Sequence, residues 1–325
     1  MTLGSSASVS DPGRRRRRNE DSFVCEPPLF AIADGMGGAQ AGEVASRLAA
    51  AVLQEANGDE LTEERIAELI QEANRRVFQR SNEDAATSGM GTTMTVALVD
   101  GQGESIVVGH VGDSRAYRVR GGELEQLTED HSLVGELLRS GRLSAEEAEL
   151  HPQRSVITRA IGTEPDVDVD TFTIPARPGD LFLLCSDGLT DMIPDREILT
   201  ILDGEDDLDS AARSLVDAAN TAGGEDNITV VLFRIAAPGE DTVRMPAAAA
   251  PAQPEPDLED TLSGLEAVPA VDTAVVSAED VREHIRREEA REEEEEAPPR
   301  RLLPLLLLVL LLAVVAALVV WGLYR

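Results

Sequence analysis

Three apolar runs in this 325-residue chain begin or end at an aspartate, and that placement limits the folds open to it. Leu29-Phe30-Ala31-Ile32 leads into Ala33-Asp34-Gly35-Met36-Gly37-Gly38, and Leu183-Leu184-Cys185 leads into Ser186-Asp187-Gly188. Asp226 precedes Asn227-Ile228-Thr229, and a fourth acidic motif, Arg16-Arg17-Arg18-Asn19-Glu20-Asp21, stands near the N-terminus. An aspartate at the end of a buried strand sits on a rigid element with its carboxylate at the rim of the core. Four such carboxylates brought together would repel strongly in a low dielectric, so a fold that gathers them needs cations. Oxygen-only ligands point to Mg²⁺ or Mn²⁺ rather than Zn²⁺. Two such ions roughly 3.5–4 Å apart hold a shared water as hydroxide and clamp an oxyanion. Gly35 permits close backbone approach, making its carbonyl a further candidate ligand. Taken singly, each Asp-Gly pair reads as an ordinary turn.

Charge narrows the function further. The formal net charge is −32, and all 29 basic residues are arginine. Nucleic acid is excluded as a partner, because phosphate contacts need clustered basic side chains. Cys25 and Cys185 read as reduced core thiols, since no secretory signal precedes them.

Residues 1–236 read as one folded domain of the α+β class. Helices are expected over Gly42–Ala56 and Thr62–Arg80. The second has Thr62 as N-cap and one apolar face made by Ile66, Leu69, Ile70, Ala73 and Val77. Strands are expected over Met94–Val99, Ser105–Val111, Ala116–Arg120, Asp166–Ile174, Asp180–Cys185 and Asn227–Ile235, with a hairpin at Gly121-Gly122. This mixture lacks strict βαβ alternation and suits a mostly antiparallel sandwich with helices packed outside.

Composition changes after residue 236. Residues 237–301 are rich in Pro, Ala, Glu and Asp, with Glu292–Glu296 an unbroken acidic run, and read as a disordered linker. Thr242, Thr261 and Thr273 each follow an Asp there, as candidate kinase targets. Residues 302–323 read as a transmembrane helix, because Leu302–Val320 is 19 residues without a charge. At a 1.5 Å rise that run spans a hydrocarbon core of about 30 Å. Trp321 and Tyr324 suit the far interface, while Arg300 and Arg301 place the near end, and the folded domain with it, in the cytoplasm.

The acidic motifs, with Gly42-Glu43, Gly91-Thr92-Thr93 and Val111-Gly112-Asp113-Ser114-Arg115, resemble the PPM family of protein-phosphatase-2C type, bacterial members in particular. The likeness runs from about Ser10 to Ile235. It implies a two-sheet antiparallel β-sandwich flanked by helical pairs on both faces, and hydrolysis of phosphoserine and phosphothreonine on proteins by a metal-bridging hydroxide. It implies two Mn²⁺ or Mg²⁺ ions, held by Asp34 with the Gly35 carbonyl, by Asp187 and Asp226, and by Asp21 with Glu20 largely through water. Asp113 with Asp187 would hold a third, weaker ion, and Arg16 would bind phosphate. Phosphorylated proteins, among them Ser/Thr kinases and their substrates, are the implied partners. Met36 departs from the histidine of many eukaryotic members, proposed there as general acid. His151 lies in the segment the family uses as a mobile flap, and His110 reads as packing. The rival reading is an inactive, membrane-anchored phosphoprotein-binding module.

Overall fold

The computed structural model describes residues 2–37, 41–56, 62–100, 104–144, 147–148, 151–236 and 274–275. Its strands are β1 (Thr2–Asp11), β2 (Ser22–Glu26), β3 (Leu29–Ala33), β4 (Gly35–Met36), β5 (Gly91–Thr92), β6 (Met94–Val99) and β7 (Ser105–Val111). They continue with β8 (Arg115–Arg120), β9 (Glu123–Gln126), β10 (Val156–Ile157), β11 (Asp170–Pro175), β12 (Leu181–Cys185), β13 (Ile228–Ala236) and β14 (Ala274–Val275). The helices are α1 (Ala41–Glu55), α2 (Glu63–Glu83), α3 (Leu133–Arg139), α4 (Asp187–Thr190), α5 (Asp195–Gly204) and α6 (Leu208–Ala222).

Two five-stranded antiparallel sheets carry the fold, ordered β1-β13-β12-β8-β9 and β11-β7-β6-β3-β2. Each is covered on both faces, which explains why its strands read as continuous apolar runs rather than alternating ones. Along β12, Phe182 and Leu184 join Phe30, Ile32, Val108, Val231 and Phe233 between the sheets. Leu183 and Cys185 point the other way, into a core shared with Leu189, Ile198, Leu208 and Leu215 of α4, α5 and α6. Ile66, Ile70 and Val77 of α2 and Ala45, Ala49 and Leu53 of α1 cover the outer face of the second sheet against Ala31, Val96 and Val111. Phe233 stacks on Phe30 with ring centroids 4.2 Å apart and on Phe182 at 5.0 Å, joining the sheets at their centre.

The expected sandwich with helical pairs on both faces is thus observed within 2–236. Thr62 caps α2, its side chain accepting the Arg65 N–H at 3.2 Å, and Gly121 and Gly122 turn the β8–β9 hairpin with φ of 62° and 79°. Both cysteines are free thiols, Cys185 buried.

One strand expectation is corrected. The stretch proposed over Asp166–Ile174 becomes strand only at Asp170. Before it, Gln71 of α2 donates to the Val167 carbonyl, and Asn74 donates to the Glu164 and Pro165 carbonyls at 3.1 Å. Side chains of a helix, rather than a neighbouring strand, satisfy that backbone. Among the described residues no helix is long and apolar enough to cross a membrane. The proposed span at Leu302–Val320 lies outside the described residues, as does the linker apart from Ala274–Val275, which pairs in parallel with β10.

Candidate active site

The antiparallel registers bring every sequence-predicted carboxylate to one end of both sheets. Asp11 pairs with Ile228, Cys185 with both Val230 and Arg115, Ser22 with Ala33, and Met94 with Val111. Asp21, Asp34, Asp113 and Asp226 lie in the short connections at that end, and Asp187 opens α4 just beyond β12.

Asp34 is fixed through its backbone. Its N–H donates to Thr93 Oγ1 at 3.0 Å, and its carbonyl accepts from the Thr93 N–H (2.9 Å) and from Thr92 Oγ1 (2.7 Å). Gly35 is no turn glycine: it belongs to β4, and a Cβ there would meet the Gly42 carbonyl oxygen at 2.2 Å and the Glu20 carbonyl oxygen at 2.5 Å. A Cβ on Gly42 would meet Glu20 Oε2 at 2.6 Å, so both glycines exist to let the Glu20 segment, β4 and α1 close up. Gly188 has the same purpose, for its Cβ would meet the Asn227 carbonyl oxygen at 2.1 Å.

Asp21 Oδ2 accepts from Ser186 Oγ at 3.0 Å and from Thr229 Oγ1 at 2.5 Å. Its Oδ1 is sealed from solvent without a partner, and so is Asp187 Oδ1. Burial, followed by the charges of Asp21, Asp187, Asp226 and Asp113, holds the Asp34 carboxyl well above the usual carboxylate range. Asp187 is raised likewise, by burial and then by Asp113 and Asp226. Burial also pushes Glu20 and Asp113 up to about 7. This is a set of negative charges held together by the fold against their own repulsion.

Arg16 is the arginine that turns inward, its Nη2 lying 2.7 Å from Asp226 Oδ2. Arg15 instead pairs at the surface with Glu225. Met36 is buried against Ile157 and Ala160, a packing contact between β4 and β10. His151 makes a local bond, its Nδ1 accepting the Gln153 N–H at 3.2 Å. His110 is more than packing: it bonds Thr95 Oγ1 and the Glu129 carbonyl, and burial pushes it down to about 3, keeping it neutral.

Four residues of this site had no role in the sequence reading, although Arg115 and Asn227 stand in its motifs. Asp191, one helical turn past Asp187, is raised chiefly by burial and faces Arg154 at 3.6 Å. Only its spacing of four from Asp187 could have marked it. His131 Nδ1 accepts the Gly112 N–H at 3.0 Å, fixing the turn that carries Asp113. Its Nε2 lies 3.0 Å from Asp170 Oδ2. Arg115 grips Asp130 through three nitrogen–oxygen contacts between 2.7 and 3.1 Å. Asn227 bonds three separate backbone groups, at Glu20, Pro12 and Arg18.

Among the described residues no three His, Cys, Asp or Glu side chains by themselves close into a metal cage. The donor set nevertheless suits hard divalent cations: oxygens only, clustered, with two buried carboxylate oxygens lacking any partner.

A four-layer fold with a carboxylate cluster at one end of its two sheets defines a class of hydrolase, and sequence comparison defines the family. The chain belongs to the protein phosphatase 2C family, whose sequence profile matches residues 15–232. It is 44% identical over 235 residues to the serine/threonine phosphatase stp of Listeria monocytogenes, covering 69% of this chain and 92% of that one. The crystal structure of the Mycobacterium tuberculosis serine/threonine phosphatase PstP/Ppp superposes with a TM-score of 0.69 at 38% identity, covering 73% of this chain and all of that one. A structure of the PstP catalytic domain in complex with two manganese ions superposes at 0.67 with 36% identity, covering 72% of this chain and 99% of that one. The protein is a serine/threonine protein phosphatase.

Proposed function

We propose that the chain is a membrane-tethered, manganese- or magnesium-dependent phosphatase that opposes Ser/Thr kinases at the membrane. The observation carrying the metal reading is the pair of orphaned oxygens, Asp21 Oδ1 and Asp187 Oδ1, inside a cluster of raised carboxylates. Asp34 with the Gly35 carbonyl, Asp187 and Asp226 would hold two ions, with Glu20 and Asp21 acting through water and Asp113 with Asp187 holding a third. The ions supply neutralising charge and a water activated for in-line attack on phosphorus. Arg16 leaves its pair with Asp226 to bind the nonbridging phosphate oxygens, a task suited to a planar guanidinium. Ser186 and Thr229 hold Asp21 Oδ2, so that its other oxygen faces the cluster. Met36 donates no proton, so the departing oxygen takes its proton from water or another group.

The tether rests on Leu302–Val320 and its flanking Arg300, Arg301, Trp321 and Tyr324. Full-length protein should fractionate with membranes and release phosphate from a phosphothreonine peptide when Mn²⁺ is added. Recovery in the soluble fraction would remove the anchor; no release with any divalent ion would remove the hydrolase.

The raised carboxyls set a pH dependence. Glu20 and Asp113 ionise near 4.5 and 3.8 when unfolded and only near 7 when folded. Between those values the folded state binds more protons, so their contribution is full at acid pH and is lost as pH rises through about 7. The melting temperature of chelator-treated protein should therefore fall between about pH 5 and about pH 8. Mn²⁺ should restore more of it at the higher pH, because ligands bind ionised. A metal-free melting temperature that rises over this range would refute the argument.

A further inference from the structure

Five consecutive arginines, Arg14–Arg18, border the site of a chain whose net charge is −32. Arg16 has a place in the reaction; its neighbours have none so far. Arg14, Arg15, Arg17 and Arg18 are exposed, and Arg15 is spoken for by Glu225 at 2.9 Å. Among the described residues the Arg14 and Arg17 guanidiniums have no ion-pair partner.

The loop beneath them is rigidly held. The Gly13 N–H donates to Asp11 Oδ1 at 2.9 Å, and Gly13 adopts a φ of 77°. The Arg14 and Arg15 N–H groups both donate to the Gly224 carbonyl, at 2.7 and 3.2 Å. The Asn227 side-chain amide donates to the Pro12 carbonyl before the run and to the carbonyl of its last residue, Arg18. Adjacent like charges repel, and a rigid loop cannot disperse them by moving. Their position matters too. Gly224, which pins Arg14, stands two residues before Asp226, the carboxylate that Arg16 meets. The site itself is strongly acidic, through Glu20, Asp21, Asp34, Asp187, Asp191, Glu225 and Asp226, and would repel an acidic substrate segment.

We propose that Arg14 and Arg17 are specificity-determining residues that recognise Asp or Glu flanking the phosphorylated residue of a protein substrate. The proposal rests on the phosphatase reading and adds a substrate class to it. An extended chain covers ~3.3–3.6 Å per residue, so the relevant acids lie within about four residues of the phosphate. Contacts between exposed charges act mainly on encounter and weaken with salt.

The test uses full-length enzyme with Mn²⁺ and three substrates: a phosphothreonine peptide with flanking Glu, the same peptide with Gln, and a small aryl phosphate. In the double variant Arg14→Gln, Arg17→Gln, KM for the Glu peptide should rise about three- to tenfold, shrinking as salt is added. KM for the Gln peptide and the aryl phosphate, and kcat for all three, should stay as in the parent. An equal change for both peptides, or no change, overturns the proposal. A lower KM for the Gln peptide in the variant also overturns it, since the arginines would then be occupied by the chain's own Glu292–Glu296. A parent enzyme that turns over no substrate speaks against the phosphatase reading instead; one that turns over both peptides without preferring the acidic one speaks against the arginines alone.

Discussion

Asp34→Asn is expected to abolish phosphate release while making the metal-free protein more heat-stable. The residue is held by its backbone, through Thr92 and Thr93, so an isosteric amide keeps its place. What the substitution removes is one negative charge facing Asp21, Asp187, Asp226 and Asp113 in buried surroundings. In the metal-free state that charge is repelled from every side, and its loss should raise stability by about 0.5–2 kcal/mol, as relief of a functional site commonly does. In the working enzyme the same charge belongs to the proposed metal pair, and the rate should fall on the order of 10³-fold or more. Calorimetry in chelator and phosphate release in Mn²⁺ measure the two effects. A variant that melts earlier than the parent in chelator would show Asp34 to be structural.

The contrast explains what was legible in the sequence. Asp34, Asp187 and Asp226 stood out because each interrupts or precedes an apolar run, and strands covered on both faces must be written as such runs. The helix α2 was legible through its Thr62 cap and single apolar face. Strand β1 was not, because Thr2–Asp11 is mostly Ser, Gly and Thr, and it owes its conformation to pairing with β13. Helix α5 opens on three charges and helix α6 is rich in Ala, and each has an apolar face that acquires meaning only once it joins the core beside β12 and β13. Gly35 read either as a turn glycine or as a close-approach glycine, and only the 2.2 Å clash with Gly42 decides between them. Five consecutive arginines left the register of the run to motif spacing; the 2.7 Å contact with Asp226 shows that Arg16 is the one facing the carboxylates. His131 and Asn227 act through contacts distant in sequence, which no local pattern announces, and Asp191 offers only its spacing of four from Asp187.

Asn227→Ala should damage the same site by the opposite route. The side chain is 4% exposed and fully used. Its Oδ1 accepts the Glu20 N–H at 2.7 Å, and its Nδ2 donates to the Pro12 carbonyl at 3.0 Å and the Arg18 carbonyl at 2.9 Å. Those three bonds fasten the loop carrying Arg16 and Glu20 to the start of β13, where Asp226 sits. Alanine leaves one N–H and two carbonyls without their partner and opens a small void. The cost should be about 2–4 kcal/mol, less where water enters to replace the amide. Since the proposed contact of Arg16 with phosphate depends on close placement, kcat/KM should also drop, on the order of 10²-fold. Asn227→Asp is the sharper control. It retains the acceptor for Glu20, loses both donors, and adds a charge beside Asp226, so its defect should deepen as pH rises. Stability and activity thus fall together at Asn227 and part company at Asp34. An Asn227→Ala protein that melts like the parent would mean that the Gly224 carbonyl and Asp11 hold the arginine loop without Asn227.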